Sequence, residues 1–171
     1  MSPWIAPMRT CVLFAAFCLS LAAADAAKLV EVKEPARIAD AFSPSASLRV
    51  INVWATWCVP CAEEMNDLRA IDATFGPEVS IIGVSLDDMI PGDRATTMRK
   101  VVTFLDQKKI GYSNFYYSGN SDALADALRF SGEIPITIVY DRNGHELWRQ
   151  QGKIDRRKTI AAIRKLLRRT R

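Results

Sequence analysis

Leu48-Arg49-Val50-Ile51-Asn52-Val53-Trp54 runs almost directly into Trp57-Cys58-Val59-Pro60-Cys61, after which Met65, Leu68, Ile71 and Phe75 recur at spacings of three and four. The first stretch has the length and apolar, Val/Ile-rich composition of a buried strand. The last has the period of a helix with one apolar face. A strand, a tight turn and a helix in such close succession leave the chain few arrangements. The cysteine pair must open the helix, at the edge of a sheet. Pro60 suits the first helical turn, where its missing N–H costs nothing.

The rest of the chain repeats the theme. Val79 to Leu86 and Ile134 to Tyr140 read as further buried strands, and Met98, Val101, Val102 and Leu105 repeat the helical spacing. Ala123 to Phe130 is a weaker helix candidate. Asp141-Arg142-Asn143-Gly144 reads as a hairpin turn joining Ile136–Tyr140 to Glu146–Gln151, and Ile160, Ile163, Leu166 and Leu167 mark a closing helix. This order predicts an α/β protein, a three-layer sandwich with a mixed β-sheet flanked by helices. With 171 residues, 49% of them hydrophobic and 25% charged, and no repeat or low-complexity linker, one folded domain is expected. The one long apolar run lies at the N-terminus, which excludes a polytopic membrane protein.

In that N-terminal run, Arg9 precedes an apolar stretch from Cys11 to Ala24, followed by the small residues around Asp25, Ala26 and Ala27. This is the layout of an export signal. Fourteen residues span only about 21 Å as a helix, short of a hydrocarbon core of roughly 30 Å, so a cleaved signal is favoured over an uncleaved anchor. Cleavage after Ala26 would leave a domain of residues 27–171 and a periplasmic product. Cys18 does not make a lipoprotein signal, because Phe17 stands where a small residue is needed.

A mature chain starting at Ala27 keeps two cysteines, Cys58 and Cys61, and one histidine, His145. A bridge across two intervening residues closes almost no loop, so the pair is chemical rather than structural. Covalent haem attachment requires a histidine after the second cysteine, and residue 62 is Ala. A closed zinc site requires four ligands, which this chain does not supply. Neither a metal nor another cofactor is expected. At a helix N-terminus, orphan N–H groups and the helix dipole stabilise a thiolate, which makes Cys58 the nucleophile. Cys61, one turn further in, can resolve a mixed disulfide.

Ile51-Asn52-Val53-Trp54-Ala55-Thr56-Trp57-Cys58-Val59-Pro60-Cys61, with Gly132-Glu133-Ile134-Pro135-Ile136-Thr137 downstream, resembles the exported TlpA/ResA-like branch of the thioredoxin superfamily over residues 45 to 168. The resemblance implies a thioredoxin-like fold. It implies that Pro135 is a cis-proline facing the cysteine pair, that Ile134 offers backbone groups to an extended client, and that Trp57, Val59 and Pro60 border the client site. Cytoplasmic thioredoxins carry a buried Asp where this chain has Asn52. In the branch resembled, the acid follows the next strand, and the register of Val84-Ser85-Leu86-Asp87-Asp88 favours Asp88. The implied activity is reduction of protein disulfides outside the cytoplasm, with disulfide-bearing clients as substrates and a membrane-bound thiol reductase as electron donor. Cytochrome c maturation is one such role, but Ile136 replaces the acid that those members carry after the proline. A copper(I) chaperone is the alternative from a binding class, and its relatives use a CxxxC spacing, one residue longer. A dithiol oxidase or isomerase is disfavoured, because Val59-Pro60 lacks the cation that such enzymes place between the cysteines.

From Lys153 to Arg171 nine Lys or Arg face one acid, Asp155. A solvated helix face with cations toward its C-terminus accounts for this better than attraction to an anionic surface. No nucleic-acid partner is expected, and the chain is expected to be monomeric.

Overall fold

The computed structural model describes residues 29–170. The expected export segment and its boundary at Ala26 lie outside the described residues. Six strands form one sheet: β1 (Leu29–Val32), β2 (Leu48–Trp54), β3 (Val79–Ser85), β4 (Ser113–Tyr117), β5 (Ile136–Asp141) and β6 (Glu146–Gln151). Their spatial order is β1-β4-β3-β2-β5-β6. The pairs β1–β4, β4–β3 and β3–β2 are parallel, whereas β5 runs antiparallel to β2 and β6 antiparallel to β5. The helices are α1 (Ala36–Ala39), α2 (Val59–Phe75), α3 (Arg94–Lys108), α4 (Ser121–Leu128) and α5 (Arg156–Arg169).

Alternation along β2 divides the core in two. Leu48, Val50 and Trp54 point to one face, where they pack with Met65, Leu68 and Ile71 of α2, Val101 and Leu105 of α3, and Ile163 and Leu167 of α5. Ile51 and Val53 point to the other, with Ile38 of α1 and Leu124 and Leu128 of α4. The three-layer α/β sandwich expected from the sequence is the thioredoxin-like fold observed. Asn52 falls on the α2 face of the sheet, between Val50 and Trp54, and is fully buried.

The hairpin follows the expected turn, with Asp141 Oδ1 accepting from the N–H groups of Asn143 and His145. β5 begins at Ile136 rather than Ile134, after a cis Ile134–Pro135 bond. Helix α4 begins two residues before the expected Ala123, because Asn120 caps it by accepting from Ala123 N. Val102, counted on the buried stripe of α3, is 38% exposed.

Gly83 sits beside the largest buried side chain of β2. Trp54 stacks on Phe104 of α3 with ring centroids 5.3 Å apart, and its Nε1 donates to Asn114 Oδ1 at 3.2 Å. A Cβ on Gly83 would stand 1.9 Å from that Asn114 oxygen and 2.9 Å from Trp54 Nε1. Gly83→Ala is therefore expected to lower stability by about 1–3 kcal/mol, the usual cost of overpacking a filled core. Urea denaturation checks this, and an unchanged midpoint would show that the indole–amide contact shifts without cost.

Candidate active site

The loops at the C-terminal ends of β2 and β3, together with the loop entering β5, converge on one edge of the sheet. This is where the strand order passes from parallel to antiparallel, and α/β sheets place their sites at such points. β2 ends at Trp54, and Cys58 is the N-cap of α2, with its sulfur accepting from Cys61 N at 3.3 Å. A sulfur there meets an orphan amide and the positive end of the helix dipole, the setting that favours a thiolate. Cys58 and Cys61 are joined as a disulfide. Cys61 is fully buried and Cys58 is 6% exposed, so the first cysteine is the one that meets a partner.

Pro135 is buried beside this pair, and Cys58 Sγ lies 3.8 Å from Ile134 O. The Pro135 loop is fastened by the last residue of β6 and the one after it, through Gln151 Nε2 donating to Glu133 O at 2.8 Å and Gly152 N donating to Pro135 O at 2.8 Å. Trp57, Val59 and Pro60 are all exposed around the disulfide. The structure thus gathers Cys58, Cys61, Trp57, Val59, Pro60, Ile134 and Pro135 at one edge.

Asp88 is placed differently. Its Oδ1 accepts from Arg94 Nε and from the Tyr116 hydroxyl, each at 3.0 Å, and Arg94 also reaches Glu31. Burial, reinforced by the bond to Asp88, pushes Tyr116 up to about 12, so the phenol keeps the proton it donates. The carboxylate that register favoured is occupied by an ion pair and a phenol. Its neighbour Asp87 is buried and takes Thr56 N at 3.1 Å, the Thr56 hydroxyl, and Ser85 Oγ at 2.7 Å.

The acid that sequence reasoning missed is Glu64. It lies on α2 three residues after Cys61, on the same buried face as Met65 and Leu68, and is fully buried. The signal was available: a glutamate at i+3 from the second cysteine interrupts the apolar stripe of an otherwise regular helix. Asn52 Nδ2 donates to Glu64 Oε1 at 2.8 Å and also to Thr137 Oγ1 at 3.1 Å, and Ile154 N donates to Glu64 Oε2 at 2.9 Å. Burial raises the Glu64 pKa to about 7, against the two hydrogen bonds that favour the charged form. The substitution at Asn52 therefore has a physical partner: an amide stands where thioredoxins have an acid, and the acid stands on the facing helix. His145, by contrast, lies in the hairpin turn at the opposite end of the sheet, 3.0 Å from Asp141.

A thioredoxin-like sheet, a CxxC disulfide at a helix N-terminus and a cis-proline loop over it define a thiol:disulfide oxidoreductase. The chain belongs to the AhpC/TSA family, whose model matches residues 23–148. Among solved structures it is similar to a thioredoxin-related protein from Neisseria meningitidis serogroup B, at 27% identity and TM-score 0.57 over 72% of this chain and 86% of that one. A DsbF homologue from Corynebacterium diphtheriae matches at 21% identity and TM-score 0.58, covering 70% and 71% of the two chains. A secreted Mycobacterium tuberculosis disulfide oxidoreductase matches at 16% identity and TM-score 0.52, covering 70% and 81%. The last two likenesses bear on the fold.

The raised Glu64 pKa has a signed effect on stability. Below its ordinary value of 4.5 the carboxyl is protonated in the folded and unfolded chains alike. Between 4.5 and about 7 the unfolded chain releases the proton and the folded chain keeps it, so stability falls as pH rises through that window. The loss is roughly 3 kcal/mol at most, at about 1.4 kcal/mol per pH unit. Urea unfolding at pH 5 and pH 8 should show this fall, and Glu64→Gln should abolish most of it. A slope that persists in the Gln variant would assign the effect to another group.

Proposed function

We propose that the chain is an exported reductase of protein disulfides, of the TlpA/ResA-like kind within its family. The Cys58 thiolate attacks one sulfur of a client disulfide, forming a mixed disulfide and expelling the client's other sulfur as a thiolate, which takes up a proton. Cys61 then attacks Cys58 Sγ, the client leaves fully reduced, and the two electrons of the dithiol have passed to it. A membrane-bound thiol reductase restores the dithiol by the reverse exchange. The observation that carries this reading is Cys58 acting as N-cap, with its sulfur on a helix amide and the residue 6% exposed while Cys61 is fully buried.

Glu64 receives the proton of Cys61 in this scheme, one turn away on the same helix face. A carboxyl with a pKa of about 7 both accepts and returns a proton near neutral pH. Asp88 is left out because Arg94 and Tyr116 hold its carboxylate. Val59-Pro60 adds no cation to the thiolate, so the helix N-terminus is the main stabiliser, which favours a reducing pair over an oxidising one. The apolar N-terminal stretch, with Arg9 before it and small residues after it, supports export. Apocytochrome c is one client class among several, since Ile136 follows the proline.

Four experiments test the scheme. Equilibration with glutathione should give a potential below about −230 mV, and a value near −120 mV would make the protein an oxidant. Cys61→Ser should accumulate mixed disulfides with clients and Cys58→Ser should not. Faster alkylation of Cys61 than of Cys58 in the reduced protein would reverse the assignment. Glu64→Gln should slow the resolving step at pH 7 by about 10²-fold, while the first attack by Cys58 keeps its rate. Equal rates of resolution in the two proteins would remove Glu64 from the scheme.

A further inference from the structure

Granting that protein disulfides are the substrate, a client reaching Cys58 must lay the residues beside its cysteine over the surrounding loops. Six large apolar side chains stand exposed among the described residues, and four of them lie in the segments that follow β2 and β3: Trp57 at 48%, Val59, the first residue of α2, at 69%, Met89 at 54% and Ile90 at 53%. Four of six exposed large apolar side chains falling in the two segments that follow β2 and β3 mark a candidate interaction site. Trp57 and Val59 flank Cys58. Met89 and Ile90 follow β3 in a loop that is tied to the redox loop at two points. Leu86 N donates to Trp54 O at 2.8 Å, and the buried Asp87 carboxylate takes both the N–H and the hydroxyl of Thr56. The ties make the two loops one platform.

Beyond Thr56 the platform opens into a hollow of about 400 Å³, walled by Arg99, Lys100 and Phe104 of α3. Arg99 Nη2 donates to Thr96 Oγ1 at 2.7 Å, and its field reaches the capping Asp93. Among the described residues the structure records no ion pair for Arg99 or Lys100. Two cations thus stand beside a hollow that begins two residues before the attacking sulfur. Charge complementarity across an interface selects partners and register.

We propose that this edge docks a client segment that is apolar next to its cysteine and acidic a few residues away. The apolar side chains rest on Trp57, Val59, Met89 and Ile90, and the carboxylate reaches Arg99 and Lys100. The client's chemistry is thereby specified on both sides of its disulfide, and Met89, Ile90, Arg99 and Lys100 determine specificity without taking part in sulfur exchange.

Stopped-flow reaction of the reduced protein with peptides whose cysteine is capped as a 2-thiopyridyl disulfide tests this. Attack on the peptide sulfur releases 2-thiopyridone, which is read by absorbance. Three peptides carry Leu with Glu, Leu with Lys, or Ser with Glu beside the cysteine, and 2,2′-dipyridyl disulfide serves as a small neutral control. The Leu/Glu peptide should react about tenfold faster than either other peptide, with the Glu preference lost in high salt. Arg99→Glu with Lys100→Glu should invert the Glu/Lys preference, and Met89→Ser with Ile90→Ser should remove the Leu/Ser preference. Both double variants should react with dipyridyl disulfide at the wild-type rate. Equal rates on the three peptides, or preferences unmoved by the substitutions, would overturn the docking surface. Reaction with the control but with no peptide would instead overturn the reading of protein disulfides as substrate, and the docking surface with it.

Discussion

A sulfur atom capping a helix is the contact on which the rest of the molecule turns. Cys58 takes the amide of Cys61 at 3.3 Å because β2 ends four residues earlier and α2 starts one residue later, so strand, turn and helix have no slack. The same contact that satisfies a helix end also favours the charged sulfur that the chemistry needs. One residue further into the helix, at Val59, the side chain is 69% exposed and no longer occupies the capping position. Moving Cys58 back into the loop would cost it the helix amides.

Around that cap, three segments are tied together by one carboxyl group. Glu64 accepts from Asn52 on β2 and from Ile154 at the start of the segment leading to α5, while belonging itself to α2. Each bond favours the charged form, and burial disfavours it more strongly, leaving a group that titrates about neutrality. A buried carboxyl that served only to join segments would be a poor choice, since a polar group fixed there weakens the fold as pH rises. In the proposed scheme, its place one turn beyond Cys61 on α2 gives that cost a function.

The strongest parts of the fold were legible in the sequence. β2, β3 and β5 announce themselves as Val/Ile-rich runs, and the hairpin by Asp141 to Gly144, because each has the period and the turn residues of its final state. β1 and β4 do not. Leu29–Val32 is a four-residue edge strand, and Ser113–Tyr117 carries Asn114, whose buried amide is satisfied by Trp54 and by the Tyr112 carbonyl, partners that no local pattern reveals. The cysteine pair was readable because its spacing places it at a helix start, and the residues around it, Ile134 and Pro135 among them, were readable through the family resemblance. Glu64 was overlooked because register along the chain chose between Asp87 and Asp88; its break in the apolar stripe of α2 was legible, but its partners Asn52 and Ile154 come from two other segments that no local pattern reveals.

The central claim is that Glu64, one turn beyond Cys61 on α2, titrates about neutrality and so can both accept and return a proton. Labelling the glutamate side chains with ¹³C and following the Glu64 carboxyl by NMR titration tests it without relying on activity. A midpoint of about 7 is expected, well above the ordinary 4.5. A midpoint at the ordinary value would show that the Asn52 and Ile154 bonds outweigh burial, and would contradict the account of how Cys61 loses its proton.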